Sequence, residues 1–276
     1  MYYSDFHVHS TYTRHPSRYY ATMAQQAQRA VELGLNAICI TEHMEPGHPN
    51  AIKQNYDPVL PMAAYQKEYW EVKEAFCRDL DLRFGIEVGL IEPHVEEITG
   101  YLQGYPLDCI LVSIHHIVND HTPDYGMPHT WTEETRKEDA IEASLSALMD
   151  LGGQLGDFDI AAHLTVFARK PKMEDREIRY EHAPDAFDTA LRWLIQTGRG
   201  IEINAGDIPR LGFFHPGITI LTRYRELGGE ILTLGSDAHG TETLGSGIRD
   251  AAALAEAAGF RYHTTFQQRM PIFHRI

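Results

Sequence analysis

Two histidines stand two residues apart at the end of an apolar segment, Asp5-Phe6-His7-Val8-His9. Side chains of an extended strand alternate between faces, so both imidazoles project from the same side. They make half of a metal site, and the remaining ligands must come from elsewhere in the chain. Five later segments have the same form, an apolar run ending in His, Asp or Glu: Ile38-Cys39-Ile40-Thr41-Glu42-His43, Phe84-Gly85-Ile86-Glu87, Ile110-Leu111-Val112-Ser113-Ile114-His115, Ile160-Ala161-Ala162-His163 and Leu232-Thr233-Leu234-Gly235-Ser236-Asp237-Ala238-His239.

Between these segments the sequence predicts helices over 21–33, 62–77, 93–101, 132–151, 184–196, 216–227 and 242–258, with Gly34 and Gly259 closing the first and last. Thr132 is the expected cap of the fourth. The strands are expected over 35–41, 82–90, 109–114, 158–162, 200–204 and 230–235, in addition to the first. Strand, loop and helix alternate seven times, which implies a parallel sheet. Polar residues collected after the ends of many strands point to a closed α/β barrel, with the site at the C-terminal mouth. The 276 residues, 43% of them hydrophobic, suffice for one large core, and 1–276 is expected to be one domain. The loops 44–61 and 117–132 are long enough to serve as lids.

The composition narrows the chemistry. The three cysteines, Cys39, Cys77 and Cys109, form no CxxC pattern and are expected to be reduced thiols, mostly buried. Metal binding therefore falls to histidine and carboxylate. A net charge of −15 argues against a grip on a nucleic acid polymer, and a small substrate is expected instead. No stretch resembles a membrane span or a signal peptide, so a cytoplasmic protein is expected.

An isolated histidine is usually a surface or hydrogen-bonded residue. The joint pattern is different, because a barrel brings all the strand ends to one mouth. His7, His9, His15, His43, Glu87, His115, His163, Asp237 and His239 are nine candidate ligands. A single catalytic ion takes about three protein ligands and keeps a position open. Two or three ions sharing a carboxylate account for nine ligands more simply, and Glu87 is the natural bridge. Mixed imidazole and carboxylate ligands without thiolate suit Zn, Fe or Mn. Asp5 and Glu42 are expected to orient ligating imidazoles from behind.

The order His7-x-His9, Thr41-x-His43, Glu87, Ser113-x-His115, His163 and Ser236-Asp237-Ala238-His239 resembles the PHP superfamily (polymerase and histidinol phosphatase), above all its histidinol-phosphate phosphatase branch. The resemblance spans nearly the whole chain and implies a distorted, TIM-like (β/α)7 barrel. It implies one ion on His7, His9, Glu87 and Asp237, a second on Glu87, His115 and His163, and a third on His15, His43 and His239. It also implies phosphate-binding roles for Arg169 and Arg210. The chain departs from the family at Ala162-His163-Leu164-Thr165, where an acidic residue is often present. His163 is thus left with no acidic neighbour in its own segment.

The implied activity is hydrolysis of a phosphomonoester by metal-activated hydroxide, with L-histidinol phosphate of histidine biosynthesis as the leading substrate. Asp237 and His239 are the candidates for protonating the leaving oxygen. The alternatives are a PHP-type phosphoesterase for nucleotides or other small phosphoesters, and a metal-binding barrel without turnover.

Overall fold

The computed structural model describes residues 2–13, 20–119, 121–170 and 174–276. Its strands are β1 (Ser4–Val8), β2 (Ala37–Ile40), β3 (His43–Met44), β4 (Asp81–Gly89), β5 (Cys109–Ser113), β6 (Ile160–Ala161), β7 (Gly200–Asn204), β8 (Leu232–Gly235), β9 (Tyr262–Gln267) and β10 (Met270–Arg275). The helices are α1 (Met23–Leu33), α2 (Ala51–Gln54), α3 (Met62–Phe76), α4 (Val95–Leu102), α5 (Lys137–Leu155), α6 (Pro184–Gln196), α7 (Ile208–Leu211), α8 (Ile218–Glu226) and α9 (Ile248–Ala257).

Parallel pairing runs β1-β2-β4-β5-β6-β7-β8, with β3 also paired to β4. A parallel bridge between Val8 and Ala238, and the His9 amide donating to the Ala238 carbonyl at 2.8 Å, join the first strand to the segment after the last. This is the expected distorted seven-stranded barrel, nearly closed.

Alternation along each strand separates two apolar layers. Ile38, Ile40, Phe84, Ile86, Val88, Ile110, Val112, Ile201, Ile203, Leu232 and Leu234 belong to the large core shared with the helices. Ala37, Cys39, Cys109, Leu111, Ile160 and Ala162 fall on the opposite face and pack together inside the barrel. By the same period Arg83, Gly85, Glu87 and Gly89 of β4 point inward, as do Glu202 and Asn204 of β7. The inward face is therefore apolar towards one end and polar towards the other. The register of β3 on β4 sets His43 directly beside Glu87.

Local chemistry sets the element ends. Thr22 and Gln25 form a capping box at the start of α1, and Gly34, at φ 70°, closes it in the left-handed conformation. Thr132 does not cap a helix: it bonds to Thr135, and α5 begins at Lys137 with Arg136 before it. The last helix starts at Ile248 rather than near 242, because Gly245 and Gly247 adopt positive φ and break the helical path. Cys39 and Cys109 are buried and Cys77 is exposed, all three free. Among the described residues no helix is long and apolar enough to cross a membrane.

The antiparallel hairpin β9–β10 closes the N-terminal end of the barrel. Its turn residues Gln268 and Arg269 both have positive φ (49° and 66°), as a two-residue hairpin turn requires. Phe266 enters the interior layer, the Thr264 hydroxyl accepts the Leu232 amide, and Arg269 pairs with Asp157 and Asp159.

His263 is buried on this hairpin with its Nε2 at 2.9 Å from the Tyr2 carbonyl. Burial pushes its pKa down to about 4, only partly opposed by the Tyr2 contact. The unfolded imidazole protonates near 6.5, so as pH falls below that value the unfolded state takes up a proton that the folded state refuses. Stability contributed by neutral His263 is thus intact above pH 6.5 and lost between about 6.5 and 4, to the extent of about 3 kcal/mol. Denaturant unfolding of the metal-free protein against pH should show this loss, added to that of other buried histidines such as His48, and His263→Gln should make the slope shallower by the His263 share. An unchanged pH slope in the variant would contradict the assignment.

Candidate metal centre

Glu87 stands at the centre of the mouth, on the inward face of β4, fully buried. Its Oε2 lies 3.1 Å from His7 Nε2, 3.4 Å from His9 Nε2 and 3.0 Å from His43 Nδ1. Its Oε1 lies 2.8 Å from His163 Nε2 and 3.3 Å from His115 Nε2, and accepts the Ser113 hydroxyl. Asp237 Oδ1 closes the other side, 3.3 Å from His9 Nε2 and 3.9 Å from His7 Nε2. His239 lies beside His9, with ring centroids 4.3 Å apart and the rings tilted by 32°, and its Nδ1 is held 2.9 Å from the Asp237 carbonyl. His163 and Asp237 have positive φ (27° and 54°), a costly conformation for non-glycine residues that clusters at functional sites.

Burial alone would raise Glu87, but His7, His43 and His115 hold it well below the usual carboxylate range. His115 is pushed up to about 10: burial opposes this, while Glu87 and Glu45 outweigh it. His9 moves the other way, lowered by burial and by His239 and His43, and so is held as a neutral lone-pair donor.

The donor set fits divalent metal. His7 Nε2, His9 Nε2, His43 Nδ1 and Glu87 Oε2 are buried without hydrogen-bond partners, and the three nitrogens all face the Glu87 oxygen. Such atoms are costly to bury unless something satisfies them. Among the described residues four groups have ligand atoms within 4.8 Å of one another and could each hold an ion: His7, His9 and Glu87; His43, Glu87 and His115; His9, His43 and His239; and His7, His163 and Glu202. The structure thus brings together eight of the nine expected ligands. His15 lies outside the described residues. His43 is shared between groups, so it is not confined to the set with His239.

A cavity of about 550 Å³ opens above this cluster, within the size range of small-molecule sites. His43, His115 and His239 line one side, and Arg169, Lys170 and Arg210 line another. Asp207 organises the cationic wall, accepting Arg169 Nε at 2.8 Å, Arg210 Nη2 at 2.7 Å and His215 Nε2 at 3.0 Å. Arg169 also reaches Asp237 Oδ2 at 3.5 Å. The Arg169 side chain is 25% exposed against 59% for Arg210, which makes Arg169 the better-fixed donor.

Two expected supports act elsewhere. Asp5 accepts the amides of His7, Ser236 and Gly245 and the Ser236 hydroxyl, so it ties strand ends together, and among the described residues it bonds to no imidazole. Glu42 accepts the Ser10 amide and the Thr13 hydroxyl, and reaches His9 only through Thr13. The carboxylates that do hold imidazoles are Glu202, 2.7 Å from His7 Nδ1, and Glu45, 2.5 Å from His115 Nδ1. Sequence reasoning missed both. The one available signal was an acidic residue inside the apolar run Ile201-Glu202-Ile203.

A seven-stranded parallel barrel carrying a histidine and carboxylate cluster at its C-terminal mouth defines a class of metal-centred hydrolase folds. The chain belongs to the PHP domain family, whose profile matches residues 5–206. It is 26% identical over 268 residues to the histidinol-phosphatase of Lactococcus lactis subsp. lactis (strain IL1403), covering 95% of this chain and 93% of that one. It is 27% identical over 258 residues to a probable histidinol-phosphatase of Thermotoga maritima, covering 94% and 93%. The crystal structure of histidinol phosphate phosphatase from Lactococcus lactis, complexed with zinc, L-histidinol and phosphate, superposes with a TM-score of 0.82 at 24% identity, covering 98% of both chains.

Asp207 is itself buried and held well below the usual carboxylate range, since His215 and Arg169 outweigh burial. Asp207→Ala would leave the Arg169 and His215 donors without their acceptor. Urea unfolding of the metal-free variant should show a loss of about 2–3 kcal/mol. A change below about 0.5 kcal/mol, the range of neutral surface substitutions, would show that Asp207 does not organise this wall.

Proposed function

We propose that the chain is a metal-dependent phosphomonoester hydrolase that converts L-histidinol phosphate and water to L-histidinol and inorganic phosphate. The observation that carries this reading is the opposition of two walls in one cavity: ligand-type His, Glu and Asp atoms on one side, Arg169, Lys170 and Arg210 on the other. A phosphate ester bound between them has its charge met from both sides. The names of the relatives and the bound ligands of the similar crystal structure favour histidinol phosphate among such esters.

His7, His9, Glu87 and Asp237 would hold one ion, Glu87, His115 and His163 a second, and His43, His239 and His15 a third. Zinc, iron or manganese suits this set. Bound ions supply Lewis acidity and lower the pKa of water, which gives a nucleophile near neutral pH.

The chain's own residues do the rest. Arg169, fixed by Asp207 and Asp237, presents its guanidinium to the phosphoryl oxygens as a planar donor. Lys170, whose pKa is lowered by burial and by Arg169, adds a point charge beside it. Arg210 sits nearer the opening and completes the charge at the substrate's outer oxygens. Asp237 is an anion here, held low by His9, His7 and His239 against its burial. It is suited to orient the water that protonates the leaving oxygen. His239, which lines the same cavity, is the second candidate for that proton, besides its place in the ligand set. Tyr12, Tyr56, Asp57 and Phe167 line the remaining wall, a surface that suits the imidazole and ammonium of the alcohol. We treat 1–276 as one functional unit, since strands from β1 to β8 all contribute to this mouth.

The test is release of inorganic phosphate from L-histidinol phosphate, sugar phosphates, mononucleotides and dinucleotides by protein reconstituted in turn with Zn, Fe and Mn. Strong preference for histidinol phosphate is expected. Turnover of the other esters alone would move the chain to another phosphoesterase activity, and no turnover would favour a non-catalytic barrel. Arg169→Ala should lower kcat/KM by about 100-fold, the scale for removing one charged donor from a transition state.

A further inference from the structure

Glu202 and Gly235 lie on the inward faces of neighbouring strands, where Asn204 of β7 is in register with Gly235 of β8. Glu202 is fully buried, and among the described residues its ion-pair partner is His7. Its two oxygens are turned to two different parts of the metal centre. Oε1 meets His7 Nδ1 at 2.7 Å, and Oε2 accepts the backbone amide of His163 at 2.9 Å and the Asn204 side-chain amide at 3.2 Å. A single carboxylate therefore touches a ligand delivered by β1 and another delivered just after β6.

Room for this carboxylate comes from Gly235. A Cβ there would lie 2.0 Å from Glu202 Oε1 and 2.5 Å from His7 Cβ, closer than real Cβ atoms approach other groups. No positive φ is involved, so the position needs glycine for space rather than for backbone conformation.

We propose that Glu202 is a positioning residue for the metal centre and that Gly235 is the notch that admits it. By accepting from His7 Nδ1, Glu202 fixes the tautomer and ring orientation that leave Nε2 as the lone pair facing Glu87. By accepting from the His163 amide, it anchors a ligand whose backbone is held at φ 27°. Glu202 is the acidic partner that the segment Ala162-His163-Leu164-Thr165 lacks, supplied by the next strand. It acts through His7 and His163. The ligand atoms of Glu202, His7 and His163 also lie within 4.8 Å of one another, but both Glu202 oxygens already face nitrogen groups of the protein, and Oε1 sits on the Nδ1 side of His7, away from Glu87; the ion count at saturation separates a positioning role from a ligand role.

The inference rests on the metal-centre part of the proposed function but needs no substrate for its test. Metal-free wild type, Glu202→Gln, Glu202→Ala and Gly235→Ala are titrated with zinc against a chromophoric chelator, with thermal melting of the metal-free forms as the fold control. Each variant should bind the wild-type number of ions at saturation, with affinity reduced by about 10- to 100-fold. Glu202→Gln, which keeps one acceptor oxygen, should fall between wild type and Glu202→Ala. Gly235→Ala should weaken binding in the same direction with Glu202 still present. If one variant fails to melt cooperatively, the others decide. Wild-type affinity in Glu202→Gln would overturn the proposal. So would a lower ion count at saturation, which would make Glu202 a ligand. Failure of phosphate release with these affinities as expected would count against the substrate, not against this role.

Discussion

The mouth of this barrel depends on one buried carboxylate. Glu87 is wholly removed from solvent, has no Lys or Arg ion-pair partner among the described residues, and is surrounded by imidazoles within 2.8–3.4 Å. An isolated buried carboxylate would be strongly disfavoured as an anion. Here five histidines from four segments surround it, with His7, His43 and His115 offsetting its charge, and each reaches it only because the strand register is as observed. β3 pairs with β4 so that His43 flanks Glu87, and the Val8–Ala238 bridge draws the first and last segments together. Barrel closure and the site are one geometric fact.

Much of this was legible in the sequence because it follows from period. Apolar runs that end in ligand-type residues predict strands and the side on which their tips collect, which is why His7, His9, His43, Glu87, His115, His163, Asp237 and His239 all converge as expected. Pro184–Gln196 and Gly200–Asn204 also fall where the sequence placed them. What escaped has physical reasons. The β9–β10 turn uses Gln268 and Arg269 rather than the usual Asn-Gly or Gly pair, so its positive φ values carry no sequence signal. Thr132 has the right chemistry for a helix cap but bonds locally to Thr135. Glu202 lies 195 residues from His7, and proximity in sequence wrongly favoured Asp5 and Glu42 as the supports.

The arrangement divides labour between rigid and open parts. Ligand atoms stand at strand ends backed by a continuous core, where small displacements are resisted by close packing. The cationic wall is built differently, on the single 3₁₀ turn Val166–Arg169 and on the short helix α7, and is held by Asp207. The two parts meet at one contact, Arg169 with Asp237. The opposite end of the barrel, closed by the hairpin and by buried His263, contributes stability and none of the residues of the mouth.

Metal content per chain, read by elemental analysis beside phosphate release, tests the central claim when Glu87 is replaced by alanine. If Glu87 is the carboxylate shared by the ions, Glu87→Ala loses most of its bound metal and its activity together while the metal-free fold still melts cooperatively. A Glu87→Ala protein that keeps the wild-type metal content, or that remains active after losing it, would contradict the account.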